Sequence, residues 1–216
     1  VNPNSRITNF APNPPIRPTI AYPNYNGVLF LSPAAIETYL NDPYNFYWKY
    51  VLKAPYPPSR YLVYGNAIHS AIESYYRIRR SLSSDTSSLA PADTKGKFLD
   101  AALARYTEAW TGEGFLSQAD ENRQFEHGRE MIKRFIDRAS KEPLPEHVEY
   151  SFKLGLPGVK ISGRIDALFT SISEVRDFKT SQVKDQKDAD RKLRENFPIR
   201  IYALAYKEQF GSLPGA

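Results

Sequence analysis

Apolar residues recur with helical spacing through the N-terminal part of the chain and with a period of two after residue 147. "SPAAIETYLNDP" opens a helix, since Ser32 suits the N-cap and Pro33 the first helical position. "DPYNFYWKYVL" reads as a second helix, short and strongly aromatic. "RYLVYGNAIHSAIESYYRIRRSL" keeps the helical period throughout, and "SSDTSSLAPADTKG" after it reads as a polar, Ser-rich loop. Two more helices are expected near 97–110 and 119–141, closed by Pro143 and Pro145. "HVEYSFKLGL" then puts Val148, Tyr150, Phe152, Leu154 and Leu156 on one strand face, "PGV" turns, and "VKISGRIDALF" alternates again. "SEVRDFKTS" reads as a third strand and "FPIRIYALAYKEQF" as a helix with Pro198 near its start. The pattern predicts leading helices, a three-stranded meander and a helix packed behind it, with no internal repeat.

Length and composition bound the class. The 216 residues suit one large domain or one domain with appendages, and 41% apolar residues suffice for a core. Residues 1–27 are rich in Pro and Asn and read as an extended linker or an arm lying on a partner, leaving 28–216 as the domain. Within it the helical part covers about 28–142, the sheet core about 147–181 and the following helix about 197–210. The start has no secretory pattern, and no apolar run is long enough to span a membrane. A chain that begins at Val1 and stops in "GSLPGA" just after a helix reads as a piece of something longer. The formal charge of +5 permits nucleic-acid binding without establishing it. With no cysteine, disulfides, thiolate zinc sites, iron–sulfur clusters and cysteine nucleophiles are excluded.

The stretch "GRIDALFTSISEVRDFKTS" carries the candidate chemistry. Asp166 shares a strand face with Lys160, Ser162 and Arg164, and Glu149 lies opposite the apolar set of its own strand. Asp177 and Lys179 point one way and Phe178 the other, so strands paired in order gather Glu149, Asp166, Asp177 and Lys179 on one face. Aspartate is depleted in strands, and carboxylates brought together repel more strongly as water is excluded. A divalent cation removes that repulsion, and carboxylate oxygens are the ligands Mg²⁺ and Mn²⁺ prefer. Water activated there can attack phosphorus, with an ammonium orienting it or offsetting transition-state charge. Asp-x-Lys alone is a weak signal, since Asp93–Lys95, Asp185–Lys187 and Asp190–Lys192 share its spacing and a solvated, alternately charged sheet face accounts for it. What sets it apart is its place after a second strand bearing a lone aspartate.

On the long helix Gly65, His69 and Glu73 fall on one stripe, opposite Ala67, Ile68, Ala71 and Ile72. Gly65 would let another backbone approach, and His69 is either a metal ligand or a hydrogen-bonded, partly buried histidine. His127 and His147 read as surface or boundary residues, and Glu73 as a solvated glutamate. Tyr44, Phe46, Tyr47, Trp48 and Tyr50 read as core for the helical part, with stacking on single-stranded bases as the alternative. Arg77, Arg79 and Arg80 read as phosphate contacts or a solvated helix end. There is no phosphate-binding G-x-x-x-x-G-K-[ST] loop, no G-x-S-x-G elbow and no His-Glu-x-x-His.

The order "LSPAAIETYLNDPYNFYWKYVL", "YGNAIHSAIE", "GRIDAL", "VRDFKTS", "IRIYALAY" resembles the PD-(D/E)xK nuclease superfamily, in its RecB-like branch, over residues 29–210. That resemblance implies an α/β fold: a restriction-endonuclease-like core with a small mixed sheet flanked by helices, plus a helical N-terminal portion. It implies that His69, Asp166, Asp177 and the Phe178 carbonyl hold Mg²⁺ or Mn²⁺, that Lys179 is the catalytic lysine, and that Tyr202 lines the site near DNA. Glu149 stands where many members keep an acidic residue. The partners implied are DNA, single-stranded by preference, and a fused or associated helicase, in a cytoplasmic, nucleoid-associated setting if the source is prokaryotic. Three departures stand out. Ile165 replaces the proline before the first aspartate. Asp42 precedes Pro43 where cluster-bearing members have cysteine, so no iron–sulfur cluster is expected. Pro198 stands where the family usually has Gln, and Arg200 could replace part of its contact from a different helix face. The expected activity is metal-dependent DNA hydrolysis, with a catalytically silent DNA- or partner-binding module, and a plain structural domain, as the alternatives.

Overall fold

A computed structural model describes residues 29–55, 59–84 and 91–215, and the expected arm at 1–27 lies outside them. β1 (Leu29–Leu31) leads into α1 (Pro33–Asn41), capped by the Ser32 hydroxyl, which accepts from the Ala35 N–H at 3.1 Å. Asp42 ends α1 and caps α2 (Pro43–Phe46), accepting from the N–H groups of Tyr44 and Asn45, and a π-helical turn follows at Tyr47–Val51. The long α3 (Arg60–Ser84), α4 (Pro91–Ala109) and α5 (Gln118–Ala139) come next. β2 (His147–Leu156), β3 (Val159–Phe169) and β4 (Glu174–Arg176) form the meander, and α6 (Gln186–Glu195) and α7 (Phe197–Phe210) complete the order. No helix among the described residues is long and apolar enough to cross a membrane.

β3 is the spine of a four-stranded mixed sheet. β2 pairs with it antiparallel along its whole length, from His147↔Leu168 to Leu156↔Val159. On the other edge β1 runs parallel to its start (Leu29↔Val159) and β4 antiparallel to its end (Phe169↔Glu174). Two apolar cores meet at this sheet. Phe152, Leu154, Ile161 and Ile165 pack with Ile201, Tyr202 and Ala205 of α7, and Ile36 of α1 joins them. Ala167 and Phe169 pack instead with α3, α4 and α5, through Ile72, Tyr76, Phe98 and Ile136 among others. The α3–α5 group thus covers only the far end of the sheet, and Ser151, Lys153, Lys160, Ser162 and Arg164 stand exposed.

Several expectations change here. Val148 does not share a core with Tyr150, Phe152 and Leu154: it joins the α3–α5 core, and Leu156 is exposed. The changeover falls at Glu149, whose φ of 52° is left-handed and which has no ladder partner between Val148↔Ala167 and Tyr150↔Ile165. β4 stops at Arg176, because the Phe178 N–H donates to the Asp166 carboxylate at 2.6 Å and leaves the ladder. The Ser-rich loop yields to α4 at Pro91, while 85–90 lie outside the described residues. Tyr44 and Trp48 are not core, being 69% and 53% exposed, while Phe46 is buried between Tyr39 and Tyr50. Arg79 and Arg80 are held by backbone carbonyls, with Arg79 half-buried and Arg80 exposed. Arg79 donates to the carbonyls of Ala139 and Glu142 and Arg80 to that of Pro145, fastening α3 to the end of α5.

Two glycines of the helical part have opposite meanings. Among the described residues, a methyl group on Gly65 would meet only the Thr180 hydroxyl, at 3.6 Å, and none of their backbone approaches closely there. On Gly128 it would collide with the hydroxyl of the fully buried Tyr106, which is tied to the Phe125 carbonyl by the hydrogen bond it donates. Urea unfolding is therefore expected to show Gly65→Ala stabilised by up to about 1 kcal/mol through helix propensity. Gly128→Ala is expected to lose roughly 1–3 kcal/mol through overpacking.

Candidate metal centre

The site is assembled where the two cores meet. Asp166, on β3, is fixed by the Phe178 N–H at 2.6 Å and faces His69 of α3, whose Nδ1 lies 3.5 Å from its Oδ1. Glu149, turned by its left-handed backbone, reaches the same place and is paired with Arg164 at 3.1 Å. Strain of this kind costs of order 1–3 kcal/mol and persists where surrounding structure enforces it. His69, Glu149 and Asp166 each offer a ligand atom, and these atoms all lie within 4.8 Å of one another. One imidazole nitrogen and two carboxylate oxygens form a donor set of the kind that divalent cations accept.

Asp177 stands beside this trio without completing it. Its carboxylate, on a side chain 6% exposed, accepts from the Lys179 ammonium at 2.7 Å and, at 3.5 Å, from the side-chain amide of Asn196. The Lys179 side chain is 53% exposed, so the ammonium sits at the mouth of the site. Phe178 turns its ring into the helical core against Tyr76 and Phe135, which anchors the backbone between Asp177 and Lys179. Tyr202 is buried, edge-on to Phe152 at 5.7 Å. Arg200 points elsewhere: it is exposed and donates to the Arg194 carbonyl at the end of α6. Glu73 is engaged by Arg77 at 2.8 Å. The residue the pattern did not flag is Asn196, which caps α7 through the Ile199 N–H while touching Asp177. An Asn two residues before a proline at a helix start was the available signal.

The electrostatics tell of negative charge crowded out of water. The hydrogen bond to Asp166 raises the His69 pKa above its ordinary value, against the opposing effect of burial. Burial raises that of Glu149, with Arg164 working the other way and the Asp166 charge adding to the rise. Burial pushes the Tyr202 phenol up, helped by the charges of Asp177, Asp166 and Glu149, so it stays a neutral hydroxyl beside them. A cation placed among these groups would relieve all three effects.

A profile for the PD-(D/E)XK nuclease superfamily matches residues 30–216, and the chain belongs to that superfamily. Its members are generally hydrolases that use divalent metals. Comparison with curated proteins gives no match.

The donor set carries its own test. Mn²⁺ at a hundred times its dissociation constant is expected to stabilise the folded chain by about 2.7 kcal/mol. The thermal midpoint, followed against Mn²⁺ concentration, should rise in the wild type and stay flat in His69→Ala and Asp166→Asn.

Proposed function

We propose that the chain is a metal-dependent deoxyribonuclease of the RecB-like branch, hydrolysing phosphodiester bonds within a larger helicase–nuclease or DNA-repair protein. The observation that carries this is the convergence of His69, Glu149 and Asp166 beside an aspartate–lysine pair that Phe178 anchors. The order of motifs along the chain supports the branch assignment.

His69, Glu149 and Asp166 would hold Mg²⁺ or Mn²⁺, with Asp177 and the Phe178 carbonyl completing the set. Such an ion supplies Lewis acidity toward the phosphate and lowers the pKa of water. The chain's residues do the rest. Asp177 holds the Lys179 ammonium in place, and that ammonium orients the attacking water and offsets charge developing on the phosphate. The Phe178 N–H pins the Asp166 carboxylate so that it needs no reorganisation during reaction. Tyr202, a neutral phenol within reach of the charges of Asp177 and Asp166 and packed edge-on to Phe152, would line the site near the substrate.

The deciding measurement is cleavage of end-labelled single- and double-stranded DNA with Mn²⁺, with and without chelator. Asp177→Ala and Lys179→Ala are expected to lower the rate roughly a hundredfold or more while leaving the unfolding transition in place. Unchanged cleavage by both variants would refute the assignment. Binding of DNA by the wild type without cleavage would replace it with a catalytically silent, DNA-binding module.

A further inference from the structure

The half of the sheet that α3–α5 leave uncovered has a chemistry of its own. Register places Ser151 opposite Arg164, Lys153 opposite Ser162 and Gly155 opposite Lys160, all on the face that carries Glu149 and Asp166. β1 extends the row: Phe30 lies opposite Lys160, with that lysine's ammonium 5.6 Å from its ring centre, and the ring is 67% exposed. Lys153, Lys160 and Arg164 are all exposed, and the side chains between them are serines or absent. No carboxylate stands on this face of β2 and β3 until Glu149 and Asp166. Glu208 of α7 lines the same depression from beside it. From Lys160 to Asp166 the row runs ~20 Å at the rise of a β-strand. Arg164 is its last cation, and it already touches the site through Glu149 at 3.1 Å.

We infer that this open half-sheet is a track for the phosphate backbone of one polynucleotide strand, leading it to the carboxylates. Lysines in a row answer phosphates without reading bases, and an exposed ring at the far end offers a face to one base. A solvated sheet face would scatter charges of both signs, whereas this one segregates cations along the row and carboxylates at its end. The direction of the track rests on the nuclease reading; the cationic surface does not.

The test separates the two. Fluorescein-labelled oligothymidylate is titrated with the chain in EDTA, where no hydrolysis intervenes, at several salt concentrations, with a duplex of equal length alongside. The double variant Lys153→Ala/Lys160→Ala changes two exposed side chains that make no contact with the metal centre. Its affinity for the oligothymidylate is expected to fall roughly tenfold or more, and its log–log salt slope to flatten by about 1.4. Lys153→Arg/Lys160→Arg should restore both. Wild-type affinity and slope in the alanine variant would overturn the track and leave the nuclease reading standing. A wild type that prefers the duplex would overturn the single-strand assignment. Salt-dependent binding lost in the variant, from a wild type that never cleaves with Mn²⁺, would uphold the track and refute the nuclease.

Discussion

Carboxylates drawn together out of water are costly, and this fold keeps them together by giving each its own donor. Asp166 takes the Phe178 N–H and the His69 imidazole, Glu149 the Arg164 guanidinium, and Asp177 the Lys179 ammonium. No two of these acceptors share a donor. The donors come from α3, from β3 itself and from the segment just past β4, so the site is a junction of segments far apart in sequence. Stripping away one donor would leave a buried or half-buried charge without compensation, which is the expensive outcome.

That junction explains the division of labour between the two cores. The α7 core holds β2 and β3 from one side and sets Tyr202. The α3–α5 core grips the other end of β3 and seats Phe178, and with it the backbone that carries Asp177 and Lys179. The arginines of α3 serve the same end, because Arg79 and Arg80 bond α3 to the carbonyls that close α5. His69 is therefore placed by a helix fastened along its length to its neighbours.

Alternation made β2 and β3 legible from the pattern, since both run long and half-buried. β1 escaped because three residues give no period to read. α6 escaped because it has no apolar face: its order comes from the Asp185 cap and from ion pairs of Arg191 and Lys192 with Asp188 and Glu195, while its Leu193 is exposed. The pattern and the family resemblance named His69, Asp166, Asp177 and Lys179, with Glu149 beside them. The structure draws Glu149 to the first two and leaves Asp177 paired with lysine beside them. What the pattern could not announce is the left-handed backbone at Glu149, a conformation no residue preference signals in a non-glycine position.

The parallel pairing of β1 with β3 sets an order of events for the chain as it is made. Leu29–Leu31 leave the ribosome long before Val159–Ile161 exist to receive them. The helical bundle can gather from local contacts in the meantime, while the edge of β3 has to wait for a loop closure that spans most of the domain. Until that closure, an apolar strand and a receptive edge stand open to each other's copies, and crowded synthesis makes swapping or clumping the natural failure of this architecture.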